Sequence, residues 1–445
     1  MLRHKLNVTI LVLAVVALAA VFGLERSSVR SVSAKDKGVY EQLQIFSDVL
    51  DLVKENYVEE VENKELIEGA ISGMLKALDP HSSYLDPDAY KELQVETKGS
   101  FGGIGIEITI RDGVLTVVSP LEGTPAYQLG IEAGDQILQV DGEPTKDMSL
   151  MEAVKKMRGP KGTKVTLTIM RKGFTEPKDF IITRAVIAIK SVRKQTLESG
   201  YGYLRISHFQ STTLQDLRQA LAELEEENRP MKGLILDLRN NPGGLLDQAV
   251  KISDEFLEEG LIVYTGGRSN SQNMRFEAHE ETRPHPYPII VLVNEGSASA
   301  PEIVAGALQD HKRALILGVK TFGKGSVQTV MPLRNGAALR LTTALYYTPS
   351  GRSIQAAGIE PDIVVERRLP EEHEMQHELK QRRVIREEDL KNHMDRDEKR
   401  PPEPAPELDE EVEIRERLKK DNQLARALEV LKSWDIFTRI KYGAE

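Results

Sequence analysis

The chain has 445 residues, 40% of them hydrophobic, enough for a large core and for two to four domains. A formal net charge of −10 argues against nucleic acid as a main partner. The absence of cysteine excludes disulfides and thiolate metal sites, and is compatible with a bacterial envelope.

Met1-Leu-Arg-His-Lys5 is basic, and Ile10 to Phe22 is an unbroken apolar run. This pattern predicts an export signal over 1–34, with Val32-Ser33-Ala34 as a cleavage site. Extending the run to Leu6–Leu24 equally allows an uncleaved membrane anchor. Residues 38–98 read as a helical region. Leu43, Phe46, Val49, Leu50 and Val53 form one stripe; Leu66, Ile67, Ile71, Met74 and Leu75 form a second. Asp79-Pro80 stops the second helix, and His81 beside that proline reads as structural.

Over 99–175 a glycine-rich loop runs into an alternating strand, followed by Val114–Ser119, the turn Asp141-Gly142, a helix from Leu150 and a closing strand Val165–Arg171. This order resembles a PDZ domain, with Gly103, Ile104, Gly105 and Ile106 matching its carboxylate-binding loop. Successive backbone N–H groups in such a loop capture a C-terminal carboxylate, and the adjacent strand edge takes up the peptide. A groove between Ile104–Ile110 and the helix from Leu150 is apolar, which predicts preference for an apolar C-terminus. Arg158-Gly-Pro-Lys-Gly162 is a basic turn that either meets the core segment over 176–366 or stays in solvent.

From 176 to 366 strands and helices alternate, predicting an α/β core. Leu214 to Glu226 is a periodic helix, Gly233 to Leu238 a buried strand, and Asn240-Asn-Pro-Gly-Gly244 a turn that leads into a helix over Leu245 to Leu257. The strand Ile289–Val293 then passes through Asn294-Glu-Gly296 and the small residues Ser297-Ala-Ser-Ala300 into a helix opened by Pro301. A serine there meets free N–H groups and the positive end of a helix dipole, so Ser299 is the candidate nucleophile and the Ala300 N–H a candidate oxyanion donor. Gly243 or Gly244 supplies the second donor. Lys324, between Gly323 and Gly325, is the candidate base, provided burial keeps it neutral. Gln328, on the strand beyond, is expected to share its face and orient the amine.

Three other readings compete. Gly318 to Lys324 nearly spells a phosphate-binding loop, but Gly325 replaces the required hydroxyl and a strand, not a helix, follows. A histidine-based triad finds no partner in a strand–turn context, His279 and His285 lying in a polar loop. No metal-ligand spacing is present, so neither metal nor cofactor is expected.

The run Gly296-Ser-Ala-Ser-Ala-Pro-Glu302, with Gly323-Lys-Gly-Ser-Val-Gln328 downstream, resembles the carboxy-terminal processing proteases, as do Leu234 to Gly244 and Tyr347-Thr-Pro-Ser-Gly-Arg352. Matched segments run from about Tyr40 to about Glu366; Pro301 departs from the small residue usual there. The sequence leaves Ser297 open as nucleophile, and the resemblance favours Ser299. It implies a mixed α/β multidomain protein with a PDZ domain beside a serine-protease core and helical segments at both ends. It further implies an exported, periplasmic endopeptidase using Ser299, Lys324 and Gln328 on proteins with apolar or unfolded C-termini. A homo-oligomer and an adaptor protein are further expectations. A non-catalytic PDZ scaffold that holds protein tails is the alternative.

The tail divides into a charged, proline-rich linker over 367–406, with Pro401 to Pro406 a stiff spacer, and a helical segment over 407–445. Leu424, Leu428, Leu431, Trp434 and Phe437 make its apolar stripe, which docks either on the chain's own core or on another molecule.

Overall fold

The computed structural model describes residues 37–111, 113–279, 285–368 and 410–442. The expected export signal and proline spacer lie outside them. Among the described residues no helix is long and apolar enough to cross a membrane. The chain forms two compact units that meet in sequence at Leu78 and Asp79. The first contains helices Lys37–Asn56 and Asn63–Lys76.

The second unit is built around a six-stranded sheet ordered 192–198, 201–206, 233–237, 289–293, 314–318, 363–364. Its first pair is antiparallel and the rest parallel. Gly233–Asp237 and Ile289–Val293 are buried throughout, as parallel strands covered on both faces must be, which is why they read as continuous apolar runs. Helices Thr213–Glu227, Leu246–Asp254 and Ala300–Asp310 contribute Leu217, Leu221, Ile252, Ile303 and Val304 to the core on one face. On the other face Ile414, Leu424, Ala427, Leu428 and Leu431 join Tyr203, Ile235, Ile290, Leu292 and Leu317. Leu424, Leu428 and Leu431 of the C-terminal stripe therefore dock on their own chain, while Trp434 is exposed. The stripe lies on helix Asn422–Tyr442, and Ile414 joins it from helix Glu410–Lys420, the two helices being separated at Asp421.

A second, antiparallel sheet holds Ser83–Leu85, Gly260–Gly267, Arg275–Ala278, Ser326–Pro332 and the long strand Ala338–Tyr347. The PDZ unit has its own sheet and core, with Ile137, Val140, Val165, Leu167 and Ile169 buried, and its helix Leu150–Met157 is fixed by a capping box between Ser149 and Glu152. Its last strand, Lys178–Thr183, lies past the expected boundary at 175 because it forms a hairpin with Lys164–Met170. The polar turn between them reads in sequence like a linker. A two-stranded ribbon, Ser100–Gly103 with Ala185–Ala188, ties the ends of this unit together.

Candidate active site

Ser297 and Ser299 differ sharply in environment. Ser297 is fully buried; its hydroxyl accepts from the Asn294 N–H at 3.0 Å and donates to the Leu238 carbonyl at 2.8 Å, so it clips two strand ends together. Ser299 is half-buried, at the entry to helix Ala300–Asp310. Its φ of 66° lies in the left-handed region, at a cost of about 1–3 kcal/mol that the surroundings must impose.

Glu302, on the first turn of that helix, imposes it. This fully buried carboxylate takes four donors: the Ser299 N–H at 2.7 Å and Lys324 N–H at 2.9 Å on Oε2, and the Thr321 hydroxyl at 2.6 Å and Gly323 N–H at 2.7 Å on Oε1. Burial pushes its carboxyl up, while those donors work in the opposite direction. The Phe322 N–H also reaches the Ser297 carbonyl at 3.1 Å. The two loops that carry Ser299 and Lys324 are thereby stitched together. Lys324 is half-buried, and its amine lies below the ordinary lysine value because of burial and then the charge of Arg340, with Glu302 opposing. Strand Ser326–Pro332 follows Lys324 directly, which removes the phosphate-loop reading, since that loop must open a helix.

The Asn240–Gly244 turn lies against Ser299. A Cβ on Gly243 would stand 2.9 Å from the Ala298 carbonyl oxygen and 3.0 Å from the Ser299 Cβ, and its φ is 113°. Gly243→Ala is therefore expected to lose about 1–3 kcal/mol and most of its turnover. A melting curve and a rate like those of the unmodified protein would contradict this close approach. The Gly243 N–H is occupied by Asn241 Oδ1 at 2.9 Å. No bond is made by the N–H of Gly244 or of Ala300 among the described residues. Of the two glycines, Gly244 is thus the one with an open donor.

Gln328 shares a face with Ser326 on strand Ser326–Pro332, but Lys324 precedes that strand, so the alternation does not extend back to its amine. Its amide nitrogen donates to Thr342 Oγ1 at 2.8 Å and Ser326 Oγ at 3.3 Å; its amide oxygen is buried without a partner. No hydrogen bond joins Lys324 to Gln328 or to Ser299 among the described residues. The Ser299 hydroxyl instead meets that of Tyr346, whose phenol burial pushes up to about 12, so it remains protonated. The turn at Asp79 also faces this pocket. His81 is held below the ordinary histidine value by burial and then by the charge of Lys324. Sequence reasoning assigned Tyr346, Arg340 and Glu302 no role and took His81 as structural; only Glu302 stood inside a motif that could have flagged it. His285 is held by Glu225 at 2.7 Å, with Glu255 3.5 Å from its other nitrogen, and His279 is exposed beside Asp254. Neither histidine contacts Ser299.

In the PDZ unit Gly103, Ile104, Gly105, Ile106 and Ile108 face Leu150, Val154 and Met157 across a cavity of about 200 Å³. Gly105, with φ 80°, packs so closely that a Cβ would come within 2.3 Å of Thr124. The Ile104 and Gly105 N–H groups make no backbone bond among the described residues. Arg158 at the groove's end pairs with Glu92 at 2.6 and 2.8 Å and lies over the Phe101 ring, so the basic turn is anchored on helix Pro87–Lys98.

The chain is similar to known proteins over most of its length. Residues 200–365 match peptidase family S41, 92–170 the PDZ domain, and 14–89 the N-terminal domain of the activating protease CtpB. A carboxy-terminal-processing protease of Bartonella bacilliformis is 51% identical over 76% of this chain and 78% of its own. A carboxyl-terminal-processing protease of Synechocystis is 43% identical over 72% of this chain and 75% of its own. Among solved structures, the photosystem II D1 C-terminal processing protease is 32% identical, with a TM-score of 0.43 over 70% of this chain and 84% of that one.

Proposed function

Because the chain belongs to the carboxy-terminal processing proteases and is a serine-type peptidase, we propose that it is an exported endopeptidase. It takes substrate C-termini in its PDZ groove and cleaves with Ser299 and Lys324. The observation that carries this reading is the sharing of one Glu302 oxygen by the N–H groups of Ser299 and Lys324. Neutral Lys324 takes the Ser299 hydroxyl proton as Oγ attacks the peptide carbonyl. The tetrahedral oxyanion is received by the N–H groups of Ala300 and Gly244. Lys324 delivers the proton to the leaving amine, and water then resolves the acyl-enzyme by the same path in reverse. The buried, unpartnered Gln328 oxygen is the acceptor that orients the amine when the side chains move into register.

Export and an envelope location, with or without an N-terminal anchor, rest on residues 1–34. Self-association through helix Lys37–Asn56 is supported by its exposed Leu43, Phe46 and Val49; an adaptor protein is a further expected partner. The test is digestion of an unfolded protein ending in apolar residues, beside the same protein ending in aspartates and beside the Ser299→Ala variant. Cleavage is expected for the first, with a raised KM for the second and none with Ser299→Ala. Tail binding without hydrolysis by the unmodified protein would leave only a scaffold. Gly105→Val, which fills the loop, is expected to remove the difference between the two tails while sparing cleavage of short peptides. Retained tail discrimination would place recognition elsewhere.

A further inference from the structure

The two C-terminal helices lie beyond the matched peptidase segment, which ends at 365, yet they reach the turn that carries Gly244. We propose that Asp421, at the break between these helices, is a positioning residue for that turn, acting through Arg239. The inference rests on the reading of Ala300 and Gly244 as oxyanion donors.

Arg239 is nearly buried, and five bonds use its five N–H groups. Nε and Nη2 donate to Asp237 at 3.0 and 2.7 Å, Nη1 and Nη2 to Asp421 at 2.8 and 2.7 Å, and Nη1 to Gln423 at 3.0 Å. Asp237, fully buried, is further held by the Tyr203 hydroxyl at 2.8 Å. The paired forks of Arg239 and Asp421 fix orientation as well as distance. The next residue, Asn240, has φ 53°, a conformation that must be held from both sides. Arg239 holds one side. On the other, Asn240 and Asn294 exchange two bonds of 2.8 Å, and Asn241 binds the Ile206 carbonyl, the Gly243 N–H and the Ala298 N–H. The path from Asp421 to the backbone beside Ser299 thus runs through hydrogen bonds, peptide bonds and one side chain, that of Arg239, which its five bonds pin in place.

Asp421 also caps the last helix, its Oδ1 accepting from the Leu424 N–H at 3.0 Å. Asparagine caps helices as well as aspartate does, so Asp421→Asn keeps the cap and removes the charge and the second acceptor. Turnover of a short peptide, affinity for a peptide boronic acid that forms a tetrahedral adduct on serine, and melting temperature are measured for Asp421→Asn, Leu428→Ala and Ser299→Ala. In Asp421→Asn, kcat and boronate affinity are expected to fall together by about 10- to 100-fold with KM unchanged. Leu428→Ala, which loosens the helix without touching Arg239, is expected to melt earlier yet keep its kcat where folded. If Asp421→Asn does not fold, Gln423→Met removes a neighbouring bond to Arg239 and is expected to fall in the same direction by less. A kcat within about twofold of the unmodified protein, or an equal loss in Leu428→Ala, overturns the link. Hydrolysis persisting in Ser299→Ala overturns the site reading and the link together. Hydrolysis lost there but intact in Asp421→Asn overturns the link alone.

Discussion

Ser299→Ala and Lys324→Met are each expected to leave a folded protein whose kcat is lower by at least about 10⁴-fold, the loss seen when a nucleophile and its base act as one unit. Neither change disturbs what holds the loops, because Glu302 grips both residues through their backbone N–H groups. The double variant is expected to be no worse than either single one. Only uncharged Lys324 accepts the proton, so activity is expected to rise with pH through the lowered lysine value. Burial and Arg340 cause that lowering, and the sign can be checked at Arg340. Removing its charge in Arg340→Gln lets the lysine value rise, so the activity limb is expected to move to higher pH. His81 also faces Arg340 and offers a second titration below the ordinary histidine value. The profile of His81→Asn separates the two: a limb that disappears with the imidazole would show that lysine is not the base. Rates like those of the unmodified protein in Lys324→Met would end the lysine mechanism altogether.

The parts of this architecture written locally could be read from the sequence. Ile289–Val293 announces a parallel strand because both of its faces are buried, and the 424, 428, 431 stripe announces a docked helix because these residues share one side of it. Pro301 and the small residues before it mark the strand-to-helix turn for equally local reasons. What escaped depends on residues far apart in the chain. Arg239 meets Asp421 across 182 positions, and nothing near either residue predicts the other. Gln328 is expected on the face of Lys324 by counting twos, but the strand begins only at Ser326, so the count does not reach back to Lys324. Tyr346 looks like one more aromatic on a β run; only the pairing that brings its N–H to the Gly325 carbonyl at 2.7 Å sets it beside the loop of Lys324. Burial likewise sets Ser297 apart from Ser299, and sequence spacing does not carry burial.

Glu302→Gln is the substitution expected to do most harm for least change in shape. The carboxylate offers two acceptor oxygens to four donors, two on each. An amide offers one oxygen, and its NH₂ group turns a donor toward either the Ser299 and Lys324 N–H groups or the Thr321 and Gly323 groups. Two buried donors are then opposed, at about 1–3 kcal/mol each, so chemical denaturation is expected to show a loss of about 2–6 kcal/mol. Turnover falls further than stability, because the left-handed conformation of Ser299 and the height of Lys324 are both set by the same oxygen. The residual activity carries a second signature. Glu302 raises the lysine value, so removing its charge lowers that value, and the pH limb moves down, opposite to its movement in Arg340→Gln. A Glu302→Gln protein with unaltered denaturation midpoint and turnover would mean that the two loops are held by other contacts. A limb that moves upward would mean that Glu302 and Lys324 do not sense each other's charge.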